Sequence, residues 1–280
     1  MRMLVSFFFI LANLSAALPV FAGSVPGTGI FNSIHDLTNG PDGTGAPLSV
    51  PGFAVDSQKR LCAYCHTPHH AILAGSAEAN GADSLPLWSH QVSNLNYTPY
   101  ASGTFTPLGG QSMSPDPLTG SSRLCMSCHD GVTAVDNYYG ETKNHVMIPL
   151  TPSPPYPGMP VIPSDGNKNH PIGFAMTDVI PGYLGATHPD PKLLPINDSS
   201  RYLINVGGTF GGPTIISRLY LGAIITCSTC HDVHNSLNKA VDIPVGSRNY
   251  LTFGTLANSG ICLSCHTVAS GFSGPAHNWP

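Results

Sequence analysis

Along most of this chain, hydrophobic positions follow neither a long helical period nor a long strand period. Short helices are predicted only around four cysteine-containing motifs, and a short β-hairpin is predicted in the region Tyr202 to Thr226, where Gly207-Gly208 and Gly211-Gly212 mark turns. Twelve of the 27 prolines lie from Pro149 to Pro195, which excludes a helix there and predicts an extended or irregular segment. The pattern predicts a mostly irregular, loop-rich fold with a few short helices and short strands.

The amino terminus has the pattern of a secretory signal peptide over residues 1–22. Arg2 supplies the positive start, Leu4 to Ala12 the apolar run, and Val20-Phe21-Ala22 a cleavage site before Gly23. An uncleaved membrane anchor is the alternative. No later segment has about 18 consecutive apolar residues, so we expect an exported chain with no membrane span after cleavage.

Composition indicates that something other than a conventional core organises the chain. Its 280 residues are 41% hydrophobic but only 9% charged, and they include 30 glycines. We expect residues 23–280 to form a single domain. The formal net charge of −4 argues against nucleic acid or an anionic membrane as a partner.

All eight cysteines fall into four copies of C-x-x-C-H, the attachment motif of c-type haem. In this chemistry the two thiols form thioethers with the vinyl groups of one porphyrin, and the adjacent histidine becomes the proximal ligand of the iron. The sequence thus predicts four covalently bound haems. They would be attached at Cys62 and Cys65, Cys125 and Cys128, Cys227 and Cys230, and Cys262 and Cys265, with His66, His129, His231 and His266 as proximal ligands.

Other uses of paired cysteines fit less well. An exported protein commonly forms disulfides, and zinc ribbons also use C-x-x-C pairs, but neither requires a histidine after every second cysteine. Thioredoxin-like sites belong to a β-α-β setting that the pattern lacks. We therefore expect the four porphyrins to replace a conventional hydrophobic core.

Each haem iron has a further axial position, and nine histidines lie outside the four motifs. His69 and His234 each follow a proximal histidine by three residues, which keeps them on the same side of that haem and directs them to a different haem. His35 lies ahead of the first motif, and His170 precedes a proline that fixes its backbone. These four are the predicted distal ligands. His70 beside His69, His90 beside Trp88, and a methionine at one site remain alternatives.

The first and third motifs have a second histidine three residues after the proximal one, whereas the second and fourth motifs do not. This alternation indicates two haem pairs, within residues 23–140 and 200–280. The proline-rich stretch, residues 149–195, would wrap the haem core between them.

Several phrases of the sequence resemble the multihaem cytochromes of metal-reducing bacteria. They are Ile34-His35-Asp36-Leu37, Cys65-His66-Thr-Pro-His69, Pro86-Leu-Trp88-Ser-His90, Cys128-His129-Asp-Gly, His170-Pro-Ile-Gly and Cys230-His231-Asp-Val-His234. Order and spacing are most similar to the small tetrahaem members, including the OmcE-type cytochromes that polymerise into extracellular nanowires. The resemblance implies bis-histidine haems in a continuous chain. It also implies a head-to-tail homopolymer in which His69 ligates a haem of the neighbouring subunit.

Three functions are consistent with this chemistry. The leading one is an electron conduit on or outside the cell, most simply a polymer and not an enzyme. The second is a monomeric periplasmic shuttle that docks with redox partners. The third is a multihaem reductase of a small molecule, which needs an iron with an open sixth position, and the nine spare histidines argue against that.

Overall fold

The computed structural model describes residues 30, 35–38, 56, 58–100, 116–138, 170–176, 179, 193–194, 202–204, 210–214, 216–234 and 264–266. The predicted signal peptide, Cys262 and Gly207-Gly208 lie outside these residues. The described part contains helix α1 (Ser122–His129), the single-turn helix α2 (Cys227–Cys230), strands β1 (Tyr202–Ile204) and β2 (Phe210–Thr214), and short 3₁₀ turns at Leu61–Tyr64, Ala77–Ala79 and Ile216–Arg218. The prediction of a loop-rich fold is confirmed for this part of the chain. No helix within it is long and apolar enough to cross a membrane.

Strands β1 and β2 form the two-stranded antiparallel hairpin that the sequence predicts. Tyr202 pairs with Thr214 and Ile204 with Phe210, with an irregularity of register between the two pairs. The assignment of Gly211-Gly212 to a turn is wrong, because both residues lie within β2. Glycine inside a strand commonly marks such an irregularity, and sequence alone does not separate it from a turn glycine.

The helical turns coincide with the cysteine motifs. The first motif begins in the 3₁₀ turn, the second occupies α1, and the third forms α2. A capping box starts α2: the Thr226 and Thr229 side chains each accept a hydrogen bond from the other residue's backbone N–H. After α1, the Asp130 carboxylate accepts hydrogen bonds from the backbone N–H groups of Val132 and Thr133, at 2.9 and 2.7 Å, and turns the chain.

Within the described residues, two small hydrophobic clusters lie between the first two motifs. One is formed by Ala82, Trp88, Val92 and Leu124, and the other by Tyr97, Leu118 and Met126. Leu124 and Met126 of α1 contribute one to each cluster, so both clusters fix this helix. These clusters hold the first and second motifs together by ordinary side-chain burial.

Described parts of the proline-rich stretch pair with chain at the later motifs: residues 193–194 pair with Cys265 and His266, and an earlier part pairs with the segment just before the third motif. Residues 173–176 run antiparallel to 223–225, with hydrogen bonds from the Gly173 N–H to the Ile225 carbonyl (2.8 Å) and from the Met176 N–H to the Ala223 carbonyl (2.9 Å). Gly173 has a φ of +78°, and a Cβ there would overlap the backbone of Pro117. The glycine therefore lets the segment after His170 pass close to the loop before α1.

Candidate haem-binding site

The first three motifs each form a helical turn. The backbone N–H of His66 donates to the carbonyl of Cys62 at 2.8 Å, and that of His231 donates to Cys227 at 2.9 Å. In the second motif, Cys125, Cys128 and His129 lie within α1 at helical spacing. Residues three and four apart share one face of a helical turn, so both thiols and the imidazole point to the same side. Such a face is what covalent attachment to one porphyrin and ligation of its iron require.

Three histidines of the motifs each lie opposite a predicted distal ligand. The ring centres of His66 and His234 are 6.2 Å apart, those of His129 and His35 are 6.2 Å apart, and those of His266 and His170 are 6.3 Å apart. The interplanar angles are 34°, 68° and 73° respectively. The three separations are nearly identical.

These separations fit a haem iron between each pair. Two imidazoles that bind one metal from opposite sides, with metal–nitrogen bonds of about 2.0 Å, hold their ring centres about 6 Å apart. The donor set is also suitable, since a porphyrin supplies four nitrogens and leaves two axial positions for protein ligands. Within the described residues, no group of three or more histidine, cysteine or acidic side chains is placed to hold a metal ion by itself.

The first motif shows how the backbone orients a proximal histidine. His66 forms an antiparallel bridge with Trp88, and the Thr67 N–H donates to the Leu87 carbonyl at 3.0 Å. The His66 Nδ1–H donates to the Pro86 carbonyl at 2.6 Å. A histidine held in this way through Nδ1 presents Nε2 as the metal-binding nitrogen. The His170 Nδ1 lies in the same way against a carbonyl, that of Pro171, at 2.9 Å.

His35 is held in the neutral form that a metal ligand needs. Burial, together with the rings of His129, His231 and His234, lowers its pKa to about 3. Burial also lowers the pKa of His66. His35, which precedes the first motif, thus lies near His129 of the second motif and near His231 and His234 at the third. Segments from the two halves of the chain therefore pack together here.

His69 and His231 are the remaining members of the predicted ligand set. His69 is exposed and lines an open cleft of about 430 Å³ together with Cys62 and His66. His231 lies near enough to His35 for its charge to lower the pKa of that ring. His35, His170 and His234 therefore each lie 6.2 to 6.3 Å, between ring centres, from a motif histidine of the same chain, a distance that fits two ligands of one iron. His69, the fourth predicted distal histidine, lines the cleft instead.

Contacts between the second and third motifs join α1 to α2. The Ser121 hydroxyl donates to the Ser228 hydroxyl at 2.7 Å, and the Cys227 N–H donates to the Ser122 hydroxyl at 3.1 Å. A hydrogen bond between the Cys125 and Cys227 thiols raises the pKa of Cys125 and lowers that of Cys227. The first cysteines of these two motifs thus lie side by side, and porphyrins attached to them would adjoin.

Two sequence alternatives for the distal ligands have other surroundings. Met126 is buried in the cluster with Tyr97 and Leu118. His90 is 1% exposed, and its Nε2 lies 3.6 Å from the Cys128 sulfur. The sequence indicates His90 only as an alternative distal ligand, not its contact with a cysteine of the second motif. No sequence pattern indicates that contact, because it joins residues from two different segments.

No protein-family model matches this chain, and no curated protein matches it.

Proposed function

We propose that this protein is an exported tetrahaem c-type cytochrome whose function is electron transfer rather than catalysis. One observation carries the proposal: three C-x-x-C-H histidines each face a second histidine at 6.2 to 6.3 Å between ring centres. Four motifs that use every cysteine of the chain supply the attachment chemistry.

Different residues would attach the haems and bind their irons. The eight cysteines would hold the porphyrins covalently, and the motif histidines would bind the irons from one side. His35, His170 and His234 would bind three of those irons from the other side, which favours low-spin iron with no open position for a substrate. When bound, haem supplies the one-electron chemistry, in which iron alternates between its ferrous and ferric forms.

Close spacing of the attachment sites supports transfer between haems. His234 would ligate the iron at the first motif while His231, three residues earlier, ligates the iron at the third. Because Cys125 and Cys227 are in contact, the haems of the second and third motifs would be attached to neighbouring cysteines. An electron entering at one haem would then have a neighbour to move to.

The mass of the protein tests this proposal. A chain that starts at Gly23 should exceed its polypeptide mass by four haem masses, and the increment should survive denaturation and acid extraction, because thioethers are covalent. A mass increment of three haems or fewer would show that at least one motif does not bind haem. Stoichiometric zinc in place of iron would rule it out.

We further propose that the cytochrome polymerises head to tail on or outside the cell. His69, His170 and His234 are all exposed, but His35, His170 and His234 each face a motif histidine of their own chain, whereas His69 lines an open cleft. A ligand supplied to the next subunit at a heterologous contact that does not close produces a filament. The alternative is a monomeric periplasmic shuttle, and electron micrographs of the purified protein distinguish the two.

A further inference from the structure

Leu87 has a backbone conformation that leucine rarely adopts. Its φ is +55°, in the left-handed region, where a residue with a Cβ crowds its own backbone. The Leu87 side chain is 53% exposed, so burial of its apolar surface offsets little of this cost. Backbone strain of this kind persists only where the surrounding structure enforces it, and it is concentrated at functional sites. The contacts on either side of Leu87 should therefore show what the strained conformation serves.

Hydrogen bonds after Leu87 anchor it to the first motif. The Leu87 carbonyl accepts from the Thr67 N–H at 3.0 Å, and the Trp88 carbonyl accepts from the Ile72 N–H at 2.7 Å. Trp88 also forms an antiparallel bridge with His66, and its side chain is buried. The chain that follows Leu87 is thus fixed relative to the proximal histidine.

The left-handed φ of Leu87 determines where the Pro86 carbonyl points. The carbonyl of one residue and the N–H of the next belong to one rigid peptide plane, and rotation about φ of the second residue turns that plane. In this structure the plane is turned so that the Pro86 oxygen lies 2.6 Å from the His66 Nδ1. With Trp88 held in place, a φ in the usual negative range would turn the oxygen away from the ring.

We propose that Leu87 is a positioning residue whose left-handed backbone holds the Pro86 carbonyl against His66 and thereby lowers the reduction potential of the first haem. The proposal rests on the proposed haem attachment at this motif. A hydrogen bond from Nδ1–H to a carbonyl orients an imidazole and strengthens its electron donation through Nε2. Stronger donation stabilises ferric iron more than ferrous iron, and hydrogen bonding around the ligands is one way in which a protein adjusts a haem potential.

Substitutions of Leu87 test the proposal in the mature protein. Leu87→Pro fixes φ at about −65° and should therefore lose the hydrogen bond to His66. Redox titration should then show one haem that is easier to reduce, with a change of about tenfold in its ferric–ferrous equilibrium, or ~59 mV for one electron. The g-values of the same haem in electron paramagnetic resonance should change, because they report the orientation of the axial imidazoles.

Three further variants separate backbone conformation from loss of the side chain. Leu87→Gly adopts the left-handed φ without strain, and Leu87→Ala removes the exposed side chain only, so both should keep the wild-type potentials. Leu87→Ile, whose branched side chain resists this φ more than leucine does, should shift the same potential in the same direction as Leu87→Pro. It provides the measurement if the proline variant does not mature.

Unfolding by denaturant gives a second readout. Glycine is ordinarily less stabilising than alanine, but this order reverses where φ is positive. Leu87→Gly should therefore unfold at a higher denaturant concentration than Leu87→Ala.

Leu221 supplies a matched control. It has a φ of +53° and is 80% exposed, but the carbonyl before it, that of Tyr220, accepts from the backbone N–H groups of Ala223 and Ile224. Leu221→Pro should therefore leave the potential of the first haem as in wild type. That haem is identified as the one whose potential also rises in His234→Met.

Unchanged potentials in both Leu87→Pro and Leu87→Ile would contradict the inference. So would an equal shift in Leu87→Gly or Leu221→Pro, or a Leu87→Gly variant that is less stable than Leu87→Ala. A wild-type protein without haem on the first motif would instead contradict the proposed function.

Discussion

The imidazole rings of His66 and His234 lie 6.2 Å apart, centre to centre, with their planes inclined by 34°. His66 belongs to the first motif, whereas His234 follows the third, so a shared iron would join distant parts of the chain. The Nδ1–H of His66 donates to the Pro86 carbonyl, which leaves Nε2 for the metal. The separation of the two rings and the hydrogen bond at the His66 Nδ1 therefore fit a bis-histidine haem.

Replacing a distal histidine should open one identified iron. His234→Ala, His35→Ala and His170→Ala should each convert one of four low-spin haems to a high-spin, ligand-binding form, at the first, second and fourth motif respectively. Electron paramagnetic resonance of the oxidised protein and carbon monoxide binding to the reduced protein measure this. His234→Met is the matched control: methionine restores a sixth ligand and should give a low-spin iron of higher reduction potential.

If one of the alanine variants keeps four low-spin irons, that histidine is a loop residue. His90 would then be the next candidate for the missing ligand.

His69→Ala should leave each subunit folded around four haems but abolish polymerisation and open one iron per subunit. The reason is that the side chain is exposed beside the Cys62–His66 cleft, where it is available to a neighbouring molecule. Negative-stain micrographs and the high-spin signal provide independent measurements. The adjacent exposed residue gives the control, since His70→Ala should still form filaments.

Filaments in the His69→Ala variant would exclude His69 as the bridge between subunits. A wild-type protein that stays monomeric at high concentration with four low-spin haems would place His69 in its own chain.

Asp56→Asn should destabilise the segment just before the first motif, and the loss of unfolding free energy should depend on pH. The Asp56 carboxylate accepts hydrogen bonds from the Arg60 side chain at 2.9 and 3.0 Å, and this contact lowers the pKa of Asp56 from 3.8 to about 2. Because Arg60 is 41% exposed, water screens part of the attraction, and we expect a loss of about 1–2 kcal/mol at pH 7.

The sign follows from the lowered pKa of Asp56. The unfolded chain takes up the proton near pH 3.8 and the folded chain only near pH 2, so the stabilisation is present above pH 3.8 and is lost as pH falls towards 2. Unfolding free energies from denaturant titrations of wild type and Asp56→Asn should therefore converge in acid. A difference that is independent of pH would contradict the ion pair as its source.

Gly173→Ala should destabilise the segment that carries His170. The glycine has a φ of +78°, and an added Cβ would overlap the backbone of Pro117. We expect a cost of about 1–3 kcal/mol, together with weakened ligation at the fourth motif, visible as a high-spin fraction. Gly75→Ala is the matched control, because it has a similar φ of +79° but open space around the site. Equal effects of the two variants would show that backbone strain alone, and not the contact with Pro117, is responsible.

Local sequence predicts much of what is local in this structure. The C-x-x-C-H spacing places two thiols and an imidazole on one side of a helical turn, which needs no information from elsewhere in the chain. Scarce helical periodicity and abundant proline predict few regular elements, which is confirmed for the part of the chain that the structure describes. Paired glycines predict the hairpin, although they place Gly211-Gly212 in a turn and not in β2.

The sequence by itself predicts which residues would carry the chemistry: four motifs, their histidines and a short set of candidate partners. Only the tertiary structure decided which of these meet, that His234 faces His66, that His35 faces His129, and that His90 contacts Cys128. The physical reason is that spacing along the chain constrains neighbours within a turn or two. Contacts between distant segments depend instead on burial and backbone pairing, such as that of His66 with Trp88, and these arise only when the whole chain packs.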